Sequence, residues 1–339
     1  MSERAAARRA FLEAAGWGGA RAEALAGDAS SRRYIRLHHP AHGETAVLMD
    51  APPGPAPPVA HFARIARYLR AQGFSAPAIL ATDAVHGFLL TEDLGCGLLS
   101  RHLDADPGTA GPLCAAAVDM LAALAARPAP RFLPRPGPAV LTEAVAPLFE
   151  WYCPAGEGKP DADAILTPLH EALAATAPAR PVLALRDCHA GNLIWLPARM
   201  GPARLGLLDF QDAFAGHPAY DLVSLLDDAR RDLPPGLEAA MIARHLAATG
   251  AAPGPFRAAY AALGAQRALR ILGIFARLAR RDGKTAYLAY LPRVWAGLWR
   301  ALAHPGLAGL ARAVEAELPP PAPDLIARLA APCRTAPTP

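Results

Sequence analysis

The sequence predicts an α+β chain of two lobes, a small β-rich lobe followed by a large helical one. Three observations predict it. Strand-like runs and helical periodicity alternate up to about residue 95. From about residue 107 apolar positions recur almost wholly at helical spacing. One cluster of short apolar strands, "VLAL", "NLIWL" and "RLGLLDF", then interrupts the helices with polar residues set among them. The expected boundaries are 1–95 for the first lobe, 96–332 for the second and 333–339 for a frayed tail.

The elements follow in order. "MSERAAARRAFLEAAGW" reads as an amphipathic first helix. It carries Glu3 and Glu13 and lacks the apolar core and small-residue cleavage site of a leader, so a cytoplasmic protein is expected. "RRYIRLHHPAHGETAVLMD" gives two strands around a His/Pro/Gly turn, and "APPGPAPP" a loop. "VAHFARIARYLRAQG" has apolar residues at helical spacing and stops at Gly73. "PAILATDAVHGFLLTEDLG" gives two more strands. Helices are predicted over 109–127, 139–152 and 162–178, and after the strand cluster over 218–230, 236–249, 254–281 and 284–302, with a helical end.

Composition narrows the function classes. A chain of 339 residues, 53% hydrophobic, can bury a sizeable core. No unbroken apolar run reaches the roughly 18 residues of a membrane helix, so no membrane partner is expected. Five cysteines at wide spacing, with no C-x-x-C, suggest neither a disulfide framework nor a zinc site. The net charge is +4, almost all of the cations are Arg, and they are scattered among acids rather than gathered in a stripe. That argues against a nucleic-acid partner.

The chemistry lies in "RDCHAGN" and "LLDFQD". Asp187 and Asn192 are five apart, and Asp209 follows after an apolar strand pair. Phosphoryl-transfer loops use this order. One carboxylate accepts the proton of the attacking hydroxyl; an amide oxygen and a second carboxylate hold Mg²⁺ against phosphates. Hard oxygen donors suit Mg²⁺, and no His or Cys is required. A polar turn capped by Asp is the bland alternative. His189, in the same loop, is expected to hold its shape rather than act as the base.

Together with "LLTEDLG" (89–95) and "GHPAYDLVSLLDD" (216–228), these stretches resemble the aminoglycoside phosphotransferase and choline kinase family, relatives of the protein kinases, over nearly the whole chain. The resemblance implies a protein-kinase-like fold with ATP and Mg²⁺ as cofactors. It implies Asp187 as catalytic base, Asn192 and Asp209 as metal ligands, Asp221 as a structural tie, and adenine bound at a connector of Glu92, Asp93 and Leu94. A narrower resemblance rests on "GDASSRRYIRL", "VLMDAPP", "FEWYCP", "LLDFQDAFAGHPAYDLVSLLDD" and "QRALRILGIFARLARRDGK…YLAYLPRVW". These look like the anomeric N-acetylmuramate/N-acetylglucosamine kinases of Gram-negative cell-wall recycling. That implies transfer to the anomeric hydroxyl of an amino sugar, giving a 1-phosphate; a monomer is expected.

The chain departs from the general pattern in two places. The strand that normally carries a phosphate-binding Lys is "TAVLMD", with Met49 where the Lys is expected, and no Lys precedes residue 159. The helix at 58–72 holds no Glu to pair with one. Arg32, Arg33 or Arg36 is expected to supply the charge, with Arg33 preferred. A Gly-rich G-x-G-x-x-G is also absent; "GDASSRR" offers Gly27, Ser30 and Ser31 to the phosphates instead.

On the acceptor side, Gln211 and Asp212 follow the metal Asp, and Glu150 and Trp151 end a helix from which Trp could stack on a sugar and Glu bind its hydroxyls. Arg267, Arg270 and Arg277 share approximate helical spacing; one could meet an acceptor carboxylate, although solvated charges are the commoner reading. "GKT" at 283–285 lacks the earlier Gly of a P-loop, and "HHPAH" sits in a turn. Two rivals stay open: a kinase of an aminoglycoside, choline or homoserine, and a pseudokinase that binds nucleotide without turnover.

Overall fold

The computed structural model describes residues 3–25, 32–54, 59–156 and 160–331. In chain order it runs α1 (Glu3–Ala14), β1 (Arg21–Ala24), β2 (Arg33–His38), β3 (Thr45–Asp50), α2 (Val59–Ala71), β4 (Ile79–Asp83), β5 (Phe88–Glu92), α3 (Leu99–Ala105), α4 (Ala110–Ala125), α5 (Pro138–Glu143) and α6 (Ala162–Ala175). Then come β6 (Val182–Ala184), β7 (Leu193–Trp195), β8 (Leu205–Leu207), β9 (Phe214–Gly216), α7 (Ala219–Leu226), α8 (Leu237–Thr249), α9 (Pro253–Arg280), α10 (Leu291–Leu302), α11 (Ala308–Glu317) and α12 (Pro323–Ala330). Ser30, Ser31 and Gly27 of the expected phosphate loop, and the expected tail, lie outside the described residues.

The chain forms two compact units. The first is residues 1–120 with 190–213; the second is 121–189 with 214–339. The expected boundary at residue 95 is not where the units divide. Hydrogen bonds distant in sequence hold residues 190–213 to the first unit: the Leu207 N–H donates to the Ser75 carbonyl at 2.9 Å, and the Ser75 hydroxyl to the Ala203 carbonyl at 2.6 Å. Leu98 also bridges to Ile194.

In the first unit an antiparallel sheet has the strand order β1-β2-β3-β5-β4. Its two faces read directly from strand alternation. One face carries Leu37, Ala46, Leu48, Phe88 and Leu90, which pack with Trp17 and with Phe11 and Leu12 of α1. Arg4 of α1 ties the helix down by binding Asp50 and donating to the His86 carbonyl. The helix α2 buries Phe62, Ile65, Ala66 and Leu69. β1 was not predicted: its four residues are all exposed and show no alternation.

The second unit is mostly helical and is organised on α9, 28 residues long, with α5, α6, α7 and α10 in its neighbourhood. The predicted helix 139–152 is broken. α5 ends at Glu143, and a π-helical turn occupies Leu148–Tyr152. Past this break the backbone comes close to α9: a Cβ at Gly273 would lie 2.2 Å from the Leu148 nitrogen. Only glycine permits that contact. The segment Pro107–Ala125 is long and apolar enough to cross a membrane by length and composition, and half of it is buried in the structure. Asp119 interrupts it, so counting unbroken apolar runs does not find it. Cys96, Cys114, Cys153 and Cys188 are free thiols.

Candidate active site

The first unit holds Asn192 and Asp209, the two residues expected to bind a metal. β7 and β8 form an antiparallel hairpin pairing Leu193 with Leu207 and Trp195 with Leu205. At its open end the Leu208 N–H donates to the Asn192 carbonyl at 3.0 Å. This pairing sets Asn192 on one strand end beside Asp209 on the other, although they are far apart in sequence. Asp209 itself is held at φ +53°, in the left-handed region that a non-glycine residue adopts only under constraint. The next residue, Phe210, is fully buried and stacks on Phe62 of α2 at 4.5 Å, which fixes the strand end.

Gln211 orders the carboxylates. Its Nε2 donates to Asp209 Oδ1 at 2.9 Å and to Asp212 Oδ2 at 3.2 Å. Its buried Oε1 has no hydrogen-bond partner among the described residues. Two carboxylates held around one amide, with Asn192 adjacent and an orphaned amide oxygen close by, make a hard-oxygen donor set that fits a divalent cation such as Mg²⁺. Among the described residues no three His, Cys, Asp or Glu side chains converge on a metal position; the donors here are two carboxylates and amide oxygens. Gln211, expected on the acceptor side with Asp212, thus orders the Asp209 and Asp212 carboxylates.

Strand β2 feels this charge. The Tyr34 hydroxyl is pushed up to about 12 by burial, by Asp209 and by Asp212, while Arg32 pulls it down. Tyr34 pairs with Met49 across the sheet, so both lie on one face. Alternation places Arg32 on that face and Arg33 on the other, where Arg33 pairs with Asp50 and is exposed. Arg32 is buried. Of the three candidate cations, Arg36 is engaged by Asp93, at 2.6 and 3.0 Å, and Arg33 faces away from Tyr34. The sequence reading preferred Arg33; the strand register puts its side chain on the face away from Tyr34.

The expected connector is held by side chains. Glu92 accepts from Arg70 at 3.0 Å, Arg199 at 2.8 Å and the Ala78 N–H at 3.0 Å, so its carboxylate is a structural tie. Asp93, which burial pushes up, is nonetheless held below the usual carboxylate range by Arg36 and the Gly95 N–H. Leu94 is buried near Gly206.

The second unit holds Asp187, the expected base. After β6, Arg186 sits at φ +79° immediately before Asp187. Its peptide is clamped on both sides. Asp221 accepts the Leu185 N–H at 2.6 Å and the Arg186 N–H at 3.0 Å. Arg267 donates to the Arg186 carbonyl at 3.0 Å and to the Ser224 hydroxyl at 2.8 Å, lying over the Tyr220 ring. The tie expected of Asp221 is therefore observed, whereas Arg267, expected among solvated charges, is buried and structural. Burial raises Asp221 to about 7 against the pull of the two N–H donors and Arg267. Burial also lowers His189, helped by Arg230, against the pull of Asp228 and Asp187, which favours its neutral imidazole. Trp151 is buried and Glu150 exposed, both on the π-helical turn beside α9.

An α+β chain with a small antiparallel sheet, a large helical region and this set of an acid, an amide and a second acid defines a phosphotransferase acting on small molecules. Residues 21–261 match the phosphotransferase enzyme family, and the chain belongs to it. It is 42% identical to the N-acetylmuramate/N-acetylglucosamine kinase of Caulobacter vibrioides, over 91% of this chain and 95% of that one. It is 36% identical to the Pseudomonas aeruginosa protein of the same name, over 84% of each chain. Among solved structures, the GDP complex of aminoglycoside 2′-phosphotransferase-IIIa matches at a TM-score of 0.59 with 15% identity, covering 88% of this chain and 99% of that one. Choline kinase LicA from Streptococcus pneumoniae matches at 0.55 with 13% identity, covering 83% and 94%. These two likenesses concern the fold.

Proposed function

We propose that the protein is an ATP- and Mg²⁺-dependent sugar kinase, transferring phosphate to the anomeric hydroxyl of N-acetylmuramate and/or N-acetylglucosamine. The 42% identity over 91% of the chain to a kinase of that name carries the acceptor class. Asp187 takes the proton of the acceptor hydroxyl and orients it. An anomeric hydroxyl is more acidic than an ordinary alcohol, so positioning and charge neutralisation supply most of the rate. Asn192 and Asp209, with Asp212 nearby, hold the metal, which when bound neutralises phosphate charge and aligns the phosphates. Arg32 stands in for the Lys that Met49 replaces, on the sheet face it shares with Tyr34. The backbone around Asp93 and Leu94 meets the adenine. A cytoplasmic monomer in peptidoglycan recycling is the setting that suits an ATP-consuming enzyme of this class.

ADP release with ATP, Mg²⁺ and a panel of N-acetylmuramate, N-acetylglucosamine, kanamycin, choline and homoserine tests this, with Asp187→Asn as control. Turnover of the amino sugars that Asp187→Asn loses, with the product phosphate located at C1 by NMR, is expected. Turnover confined to kanamycin, choline or homoserine would overturn the acceptor, and nucleotide binding with no turnover of any acceptor would favour the pseudokinase.

A further inference from the structure

Three arginines on α9 have different surroundings. Arg267 is buried and bonded to Arg186 and Ser224. Arg277 lies two turns beyond Arg270, on the same ridge as Gly273. Arg270, one turn after Arg267, is half-buried and makes no hydrogen bond or ion pair with any described residue. Burial opposes its charge; Tyr220 and Asp187 favour the charge, while Arg186 and Arg267 oppose it. A guanidinium is therefore held partly out of water, within the field of Asp187 and beside two other arginines, with no carboxylate of its own. A desolvated cation in such a place is normally matched by an anion. Gly273, one turn further along α9, brings residues 147 and 148 against the helix backbone, and the turn carrying Glu150 and Trp151 follows directly.

N-acetylmuramate differs from N-acetylglucosamine by an ether-linked lactyl carboxylate. Resting on the acceptor class above, we propose that Arg270 receives this carboxylate in a charge-assisted hydrogen-bonded pair and so sets the preference for the acidic over the neutral amino sugar. Transferring phosphate oxygens are the other source of anionic charge, and they would be common to both sugars.

Steady-state kinetics of the full-length enzyme and of Arg270→Met and Arg270→Lys separate these sources. The acceptors are N-acetylmuramate, its methyl ester and N-acetylglucosamine. Arg270→Met is expected to lose about tenfold to a hundredfold in kcat/KM on N-acetylmuramate, mostly through KM, and less than about threefold on the two uncharged acceptors. Arg270→Lys restores part of the loss, and the KM for ATP does not move. Equal losses on all three acceptors would assign Arg270 to the phosphates and overturn the proposal, as would no loss on any. Should Arg270→Met fail to fold, the wild-type enzyme still decides: no discrimination between the acid and its methyl ester overturns the assignment. A wild-type enzyme active on N-acetylglucosamine with unselective variants sinks Arg270 alone. One that turns over no amino sugar sinks the acceptor class, and Arg270 with it.

Discussion

The Asp221 carboxylate accepts the Arg186 N–H at 3.0 Å, and Arg186 is one of two described non-glycine residues held at positive φ. The other is Asp209. Backbone strain thus falls at the residue before Asp187, the proposed base, and at Asp209, a proposed metal ligand, each fixed by a buried neighbour. Asn at position 221 offers one acceptor oxygen and sets an NH₂ group against a peptide donor. Asp221→Asn is expected to cost about 2–4 kcal/mol in urea unfolding and to lower kcat at least about tenfold. Wild-type stability with wild-type kcat would show that the clamp is dispensable.

The two faces of β2 make a paired prediction. Arg32→Met is expected to raise the KM for ATP about tenfold, while Arg33→Met changes it less than about twofold, because only the first side chain shares the Tyr34 face. Equal effects would mean that face does not decide phosphate binding.

Gly273 is the point of closest backbone approach on α9. Gly273→Ala adds a Cβ within 2.2–2.7 Å of three backbone atoms of residues 147 and 148, none of which can rotate away. Thermal melting should show a destabilisation of about 3 kcal/mol or more, although alanine is ordinarily the better helix residue by about 1 kcal/mol. A more stable variant would contradict the packing described.

His245 is fully buried, and neither ring nitrogen has a hydrogen-bond partner among the described residues. Burial lowers both His245 and the neighbouring His217 to about 4. In the unfolded chain these rings take up protons near their ordinary 6.5, so acid favours unfolding. Stability should be fully present above about pH 6.5 and fall as pH drops toward 4, by on the order of 3 kcal/mol for His245. Asp221 works in the opposite sense, because its folded value lies above its ordinary 3.8: its contribution is present below about 4 and lost as pH rises to about 7. Denaturant midpoints of His245→Leu across pH 4.5–8 should fall less steeply with acid than those of wild type; parallel curves would acquit His245.

The candidate site was readable in the sequence because its grammar is local: spacing proposes Asp187, Asn192 and Asp209, and the segment that follows points to Asp221, whose tie to Leu185 and Arg186 the structure shows. What stayed hidden depends on the third dimension. A one-residue difference in strand phase decides between Arg32 and Arg33, and no local pattern reports it. Arg267 looks like any helical arginine until Ser224 and the Arg186 carbonyl meet it. The helix expected through residue 152 ends at Glu143, and the turn beyond it packs on a glycine more than a hundred positions away. Glu92 looked like part of a connector and is a clasp for Arg70 and Arg199.

The return of residues 190–213 to the first unit has a consequence for synthesis. A nascent chain that has emerged only to residue 120 carries the sheet and α2 but leaves the Ser75 carbonyl and hydroxyl without the Leu207 and Ala203 partners they have in the finished protein. Asn192, Asp209 and the Phe210 ring that stacks on Phe62 arrive some seventy to ninety residues later, after the first stretch of the second unit. The piece that carries Asn192, Asp209 and Phe210 is therefore the last of the first unit to leave the ribosome, and an unfinished polypeptide lacks the residues proposed to grip the metal until the other unit is already under construction.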